Sequence, residues 1–223
     1  MLKVCPAMDD GEPRLLIGGF GPFPAAPANP AARVVESLQY AGWRPRGTAV
    51  SYAVLPTRWD EAFEALQVSM TACGCGGVLL VGVAVKASAF RVEMRAQNRT
   101  APTRADAAGA ALGRDRIDPT GPAVARVTAP VAEMLEAIRQ VGLPAEPSSD
   151  AGAYLCNFTL YRVLTACAGR DGAPSAGFLH VPQARELAGP NAATDLPSIT
   201  RAVCAAAEAY ADVLALARAS VLA

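Results

Sequence analysis

The sequence predicts an α/β fold built round a mixed central sheet, and three observations carry that prediction. Short segments apolar on both faces alternate along the chain with longer segments of helical period. Turn and cap residues fall between them. The 223 residues are 52% hydrophobic and 18% charged, with no internal repeat and no interdomain linker, as expected of one packed unit.

Residues 1–13, with Pro6, Asp9, Asp10, Gly11 and Pro13, read as a flexible leader ahead of a single domain over 14–223. "RLLIGGF" (14–20) is a first buried strand. A Pro-, Gly- and Ala-rich loop follows, and Asn29-Pro30 opens a helix to about Tyr40, with Pro30 suited to a first turn. "TAVSYAVLP" is a second strand. "TRWDEAFEALQVSMTACG" is a helix in which Thr57 and Asp60 are placed for a capping box. "GVLLVGVAV" is a third, nearly continuous apolar strand. Phe90 to Gln97 alternates as a fourth, and residues 105–123 form a long small-residue loop. A helix spans 131–142 and stops at Gly142. "GAYLCNFTLYRVLTACAG" turns and becomes a helix, "SAGFLHVP" is a buried strand, and Pro197 starts the last helix.

Composition also excludes functions. Twenty basic and twenty acidic residues cancel without a dense basic block, so neither nucleic acid nor an anionic membrane is an expected partner. The N-terminus lacks the apolar core of a secretory signal, and charges interrupt the apolar C-terminal segment. A cytoplasmic location is the default. The six cysteines are scattered and expected to be free thiols. Cys73 and Cys75 form C-x-C without the further ligands of a zinc site, so two thiols ending a helix is the better reading; neither a metal nor a cofactor is expected.

Three residues carry possible chemistry. His180, the only histidine, stands at the end of a predicted strand, where α/β sheets place ligands; otherwise it is a structural histidine. Cys156 stands near the start of a helix, where backbone amides favour a thiolate; otherwise it is a small core residue, as Cys167 on the same helix is expected to be. Glu93 is one of many acids that could orient an imidazole beside a thiol, and spacing alone does not choose it.

Four blocks in order bring the chain close to a known family. "LLIGGFGPFPAAPANP" resembles the opening strand and G-F-x-P-F loop of pyroglutamyl peptidase I, the pyrrolidone carboxyl peptidases. "VGVAVKASAFRVEMRAQN" resembles its catalytic-glutamate block, with Gly82, Ala84, Glu93, Ala96 and Asn98 in register. "SSDAGAYLCNFTLY" resembles the nucleophile block S-x-x-A-G-x-Y-x-C-N, and "AGFLHVP" the histidine block. The resemblance implies a three-layer α/β/α sandwich, of the kind seen in purine nucleoside phosphorylases, and a triad of Glu93, Cys156 and His180. It implies a cofactor-free, cytoplasmic homotetramer that removes N-terminal pyroglutamate from peptides. Phe20 and Phe23 match the family's substrate slot, Asn29 matches an asparagine that braces the loop, and Arg104, with a one-residue shift, is the nearest match to an arginine assisting the oxyanion.

The departures from the family pattern cluster in one block. Gly82-Val83-Ala84-Val85-Lys86-Ala87 stands where the family has G-Q-A-G-G-R, and Val92-Glu93-Met94 where it has Pro-Glu-Arg. Two alternatives therefore stand beside a pyroglutamyl peptidase: a cysteine hydrolase of another small cyclic or acylated amide, and a non-catalytic protein that binds the lactam. A phosphorylase-like enzyme would need a Gly-rich phosphate cradle with basic residues, which the sequence lacks.

Overall fold

The computed structural model describes residues 12–222, so most of the expected leader lies outside the described residues. The main sheet contains β1 (Arg14–Phe20), β2 (Ala49–Leu55), β3 (Gly77–Val83), β4 (Phe90–Glu93), β7 (Ala145–Ser148) and β8 (Ser175–Val181). Their order is β2-β1-β3-β8-β4-β7. All neighbours are parallel except β4 and β8, which run antiparallel, so the sheet is mixed as the sequence predicts. A two-stranded sheet pairs β5 (Arg95–Gln97) with β6 (Val124–Arg126).

Helices α1 (Pro30–Ala41), α3 (Val131–Gln140) and α6 (Leu196–Leu222) cover one face of the main sheet, and α2 (Ala62–Cys73) and α4 (Leu155–Cys167) cover the other. The four-residue α5 (Arg185–Ala188) lies between β8 and α6. The three-layer sandwich follows from strand parity. Leu15, Ile17, Leu79, Val81, Leu179 and Val181 pack toward α1, α3 and α6, while Leu16, Val78, Leu80 and Phe178 pack toward α2 and α4. The same alternation puts His180 on the α4 side of β8.

Local chemistry sets the element ends. Asn29 caps α1, its Oδ1 accepting from the Ala31 N–H at 3.0 Å, with Pro30 at the first helical position. The expected capping box on α2 is not present. That helix begins at Ala62 after Glu61, without a side-chain cap. The Thr57 hydroxyl is drawn away to donate to the Gly21 carbonyl at 2.9 Å, and Asp60 pairs with Arg58 at the surface.

The strand expected over Phe90–Gln97 is two strands. At Met94 the N–H donates to the Ser148 carbonyl and the carbonyl accepts from Val127, which steers the chain out of the main sheet toward β6. The third strand stops at Val83 rather than Val85, because a turn closes between Ala84 and Ala87. The short strands β6 and β7 and the helix α5 are additions to the sequence reading; each is too short for a periodic signal.

At Gly19, β1 and α1 approach closely. A Cβ there would lie 2.6 Å from the Ala31 carbonyl oxygen and 2.9 Å from a Val35 methyl. Backbone cannot yield as a side chain does, so Gly19→Ala should cost about 2 kcal/mol or more of stability, measured by urea unfolding. A wild-type midpoint in this variant would show that the two elements are free to separate.

Candidate active site

His180 lies opposite Gly82 of β3 and opposite Arg91 of β4. Glu93, two residues beyond Arg91, shares that face of β4. Its Oε1 is 2.8 Å from His180 Nδ1, and both side chains are buried, Glu93 at 0% exposure and His180 at 6%. The other carboxylate oxygen, Oε2, has no hydrogen-bond partner among the described residues. The negative charge of Glu93 is therefore matched chiefly through the imidazole.

Cys156 arrives from the opposite direction. It is the second residue of α4, so its N–H lies among the first-turn amides that have no carbonyl one turn back. Tyr154 precedes the helix without capping it. Gly152, at φ 84°, makes the left-handed turn into the helix, and its N–H donates to Asp150 at 2.9 Å. The Cys156 sulfur then sits over Gly82, where a Cβ would approach Sγ to 2.9 Å and the Phe178 ring to 2.7 Å. Glycine at 82 gives the sulfur its space beside the histidine strand.

The sulfur lies close enough to the imidazole to bear on its titration. Burial alone would lower the imidazole pKa. The charge and hydrogen bond of Cys156, joined by those of Glu93, outweigh burial and hold it up at about 9. The folded value exceeds the usual 6.5, so the protonated ring contributes its stability fully below about pH 6.5 and loses it as pH rises through about 9. The ring also packs 4.5 Å, centroid to centroid, from Phe178.

These groups open into a cavity of about 380 Å³, within the range of small-molecule sites. Phe20 and Phe23 line it as expected. Phe20 stacks on Phe178 at 6.0 Å, and the Phe23 ring lies 5.8 Å from Tyr154. Asn29 also lines it, but its polar atoms are engaged: besides capping α1, its Nδ2 donates to the Gly21 carbonyl at 2.9 Å. With the Thr57 hydroxyl on the same carbonyl, it braces the loop that carries Phe23. Arg104 reaches the cavity wall with its guanidinium 4.0 Å from the centre of the Tyr154 ring. The structure thus brings Glu93, Cys156, His180, Phe20, Phe23, Asn29 and Arg104 to one cavity.

Asn157 is a buried residue to which the sequence reading assigned no role. Its Oδ1 accepts from the Gln97 N–H at 2.8 Å, and its Nδ2 donates to the Gln97 and Arg99 carbonyls at 2.7 and 3.0 Å. It clamps the segment following Glu93 to the start of α4. Asn98 does similar work nearby, bonding backbone groups of Ile117, Asp118 and Gly121. Asparagine is usually a surface or turn residue, so only its place beside Cys156 could have marked Asn157. Cys73 and Cys75 flank the end of α2 as free thiols, and Cys167 ends α4. No metal-binding group of three or more His, Cys, Asp or Glu occurs among the described residues.

A thiol at a helix start, an imidazole at a strand end and a buried carboxylate behind it define the class: an α/β/α protein with a cysteine-hydrolase type of site. A sequence profile of the pyroglutamyl peptidase family matches residues 13–216, and the chain belongs to that family. It is 37% identical over 209 residues to a pyrrolidone-carboxylate peptidase of Deinococcus radiodurans, covering 88% of this chain and 94% of the relative. A Mycobacterium tuberculosis pyrrolidone-carboxylate peptidase is 34% identical over 172 residues, 76% of this chain and 77% of that protein. Among solved structures, the pyroglutamyl peptidase I of Bacillus amyloliquefaciens superposes with a TM-score of 0.83 at 25% identity, covering 90% of this chain and 95% of that one. A mutant pyrrolidone carboxyl peptidase of Pyrococcus furiosus gives 0.82 at 27% identity, with coverage of 90% and 99%.

The Asn157 clamp gives a test. Asn157→Asp keeps the acceptor but turns a carboxylate toward two carbonyls, so it should destabilise the fold by about 2 kcal/mol or more. Chemical denaturation with native-state hydrogen exchange at Gln97 would measure it. Unchanged protection of the Gln97 amide would count against the clamp.

Proposed function

We propose that this protein is a cysteine exopeptidase that hydrolyses the amide bond after an N-terminal pyroglutamyl residue, with Cys156 as nucleophile, His180 as acid–base and Glu93 as orienting carboxylate. The observation that carries the reading is the sulfur–imidazole–carboxylate series at the base of an aromatic-lined cavity. Family membership supplies the substrate class.

The chemistry follows from the geometry. The Cys156 thiolate, with the imidazolium beside it, attacks the pyroglutamyl carbonyl carbon to give a tetrahedral oxyanion. The Cys156 N–H, free at the helix start, is the donor for that oxygen. The C–N bond then breaks as His180 delivers its proton to the departing amine, leaving a thioester. Water attacks the thioester, giving up its proton to His180; the C–S bond breaks, freeing pyroglutamate and restoring the Cys156 thiolate. Glu93 holds Nδ1 and stabilises the charged ring throughout. Phe20 and Phe23 offer a flat apolar slot to the lactam ring, whose N–H and C=O seek backbone partners.

The same resemblance supports a cytoplasmic homotetramer acting on pyroglutamyl peptides without a cofactor. No helix among the described residues is long and apolar enough to cross a membrane.

Release of a chromophore from a pyroglutamyl amide, set against prolyl and acyl-aminoacyl amides, tests the activity and its selectivity. Cys156→Ala or iodoacetamide should lower turnover by about 10⁴-fold or more, while Cys167→Ala retains most of it. Equal loss in both cysteine variants would point to damaged folding instead of a lost nucleophile. Against pH, kcat/KM should fall on the alkaline side near 9, where the imidazolium loses the proton needed by the leaving amine. Glu93→Gln removes an attractive charge and should move that limb to lower pH. A limb that stays in place would remove Glu93 from the series.

A further inference from the structure

The rim of the cavity carries charges that the hydrolytic series does not use. Lys86 and Arg104 both line the cavity and are exposed, and neither forms an ion pair among the described residues. The other charged groups of the rim are already matched: Arg91 to Glu146 at 2.8 Å, and Asp150 to Arg99 at 2.6 Å. Glu93 is buried against His180. The open end of the site therefore presents two uncompensated cations and no free carboxylate.

A pyroglutamyl group gives those cations nothing to bind. Its ring is a neutral lactam, and its only carboxyl carbon is the one in the scissile amide. A negative charge that meets Lys86 and Arg104 has to lie on the portion of the substrate that leaves as the amine. Arg104 is held by its stacking on Tyr154, which immediately precedes the helix that carries Cys156. Lys86 sits in the turn between Ala84 and Phe90 that follows β3, in the block where this chain departs from the family pattern, beside the exposed Val85.

We infer that the leaving-group side of this site selects a carboxylate, so that the preferred substrates are pyroglutamyl peptides with negative charge immediately after the scissile bond. The inference rests on the pyroglutamyl peptidase reading. The carboxylate has two sources, an acidic side chain on the second residue or the free C-terminus of a pyroglutamyl dipeptide. Both offer the same chemistry to the two cations. Such partly exposed pairs are modest in strength and screened by salt, so the effect is a bias in rate and not an absolute requirement.

The test compares kcat/KM for pyroglutamyl-Glu-amide, pyroglutamyl-Ala-amide, pyroglutamyl-Lys-amide and pyroglutamyl-Ala as the free acid, at low and high salt. The glutamyl amide or the free acid should exceed the alanyl amide by about three- to fivefold at low ionic strength, and the lysyl amide should fall below it. Gain with the free acid alone identifies the C-terminus as the charge that is read, and gain with the glutamyl amide identifies the side chain. About 1 M salt should compress the series. Lys86→Glu should invert the ratio of glutamyl to lysyl amide, a change that general damage to the site would not produce. Equal kcat/KM across the series, or a ratio indifferent to Lys86→Glu, would overturn the inference while leaving pyroglutamyl hydrolysis standing. Absence of turnover on all four peptides would overturn the parent reading as well.

Discussion

A carboxylate without solvent exposure persists in a protein interior only when a cation or strong donor faces it, and for Glu93 that group is His180. This pairing constrains much of the surrounding architecture. It requires a short strand carrying Glu93 to lie antiparallel beside β8 in a sheet whose other neighbours are parallel. It requires the histidine to fall on the parity of Phe178, facing α4. It also raises the imidazole's affinity for a proton. A neutral, solvated histidine at the same place would provide neither a stored proton nor a reason for the glutamate to be buried.

The sulfur reaches this pair through two backbone devices. Gly152 lets the chain turn into α4 with the first-turn amides unspent, and Gly82 removes the side chain that would occupy the position of Sγ. Asn157, next to the cysteine, then ties α4 to the segment that leaves Glu93. Cys156 and Glu93 thus lie at the two ends of one hydrogen-bonded connection. A shift of α4 would be passed to the segment that follows Glu93 through these hydrogen bonds.

Legibility in the sequence followed the strength of the local signal. β1, β3 and β8 are continuous apolar runs, α1 opens on Asn29-Pro30, and α4 contains the specific cysteine block; all were read close to their observed limits. The candidate triad, the aromatic slot and Asn29 came from the family motifs, because nothing in the spacing of Glu93 singled it out among the acids. What was misread depended on contacts distant in sequence. Thr57 looks like a helix cap until the Gly21 carbonyl claims its hydroxyl. Phe90–Gln97 alternates like one strand, yet Ser148 and Val127 divide it at Met94. Neither partner can be found by local pattern, and the buried role of Asn157 has the same origin.

The departures from the family pattern can be sorted by what each side chain touches. Val83 ends β3 at the cavity wall, where it replaces the usual glutamine without breaking the strand, and Ala84 beside it matches the family pattern. Val85 and Lys86 stand exposed at the rim, beyond the paired Glu93 and His180. Met94 is also exposed, and its backbone, not its side chain, makes the turn toward β6. None of these side chains lies between the sulfur, the imidazole and the carboxylate. The variation therefore bears on the wall and rim of the cavity, while Cys156, His180 and Glu93 are held by the sheet, the start of α4 and the asparagine clamp.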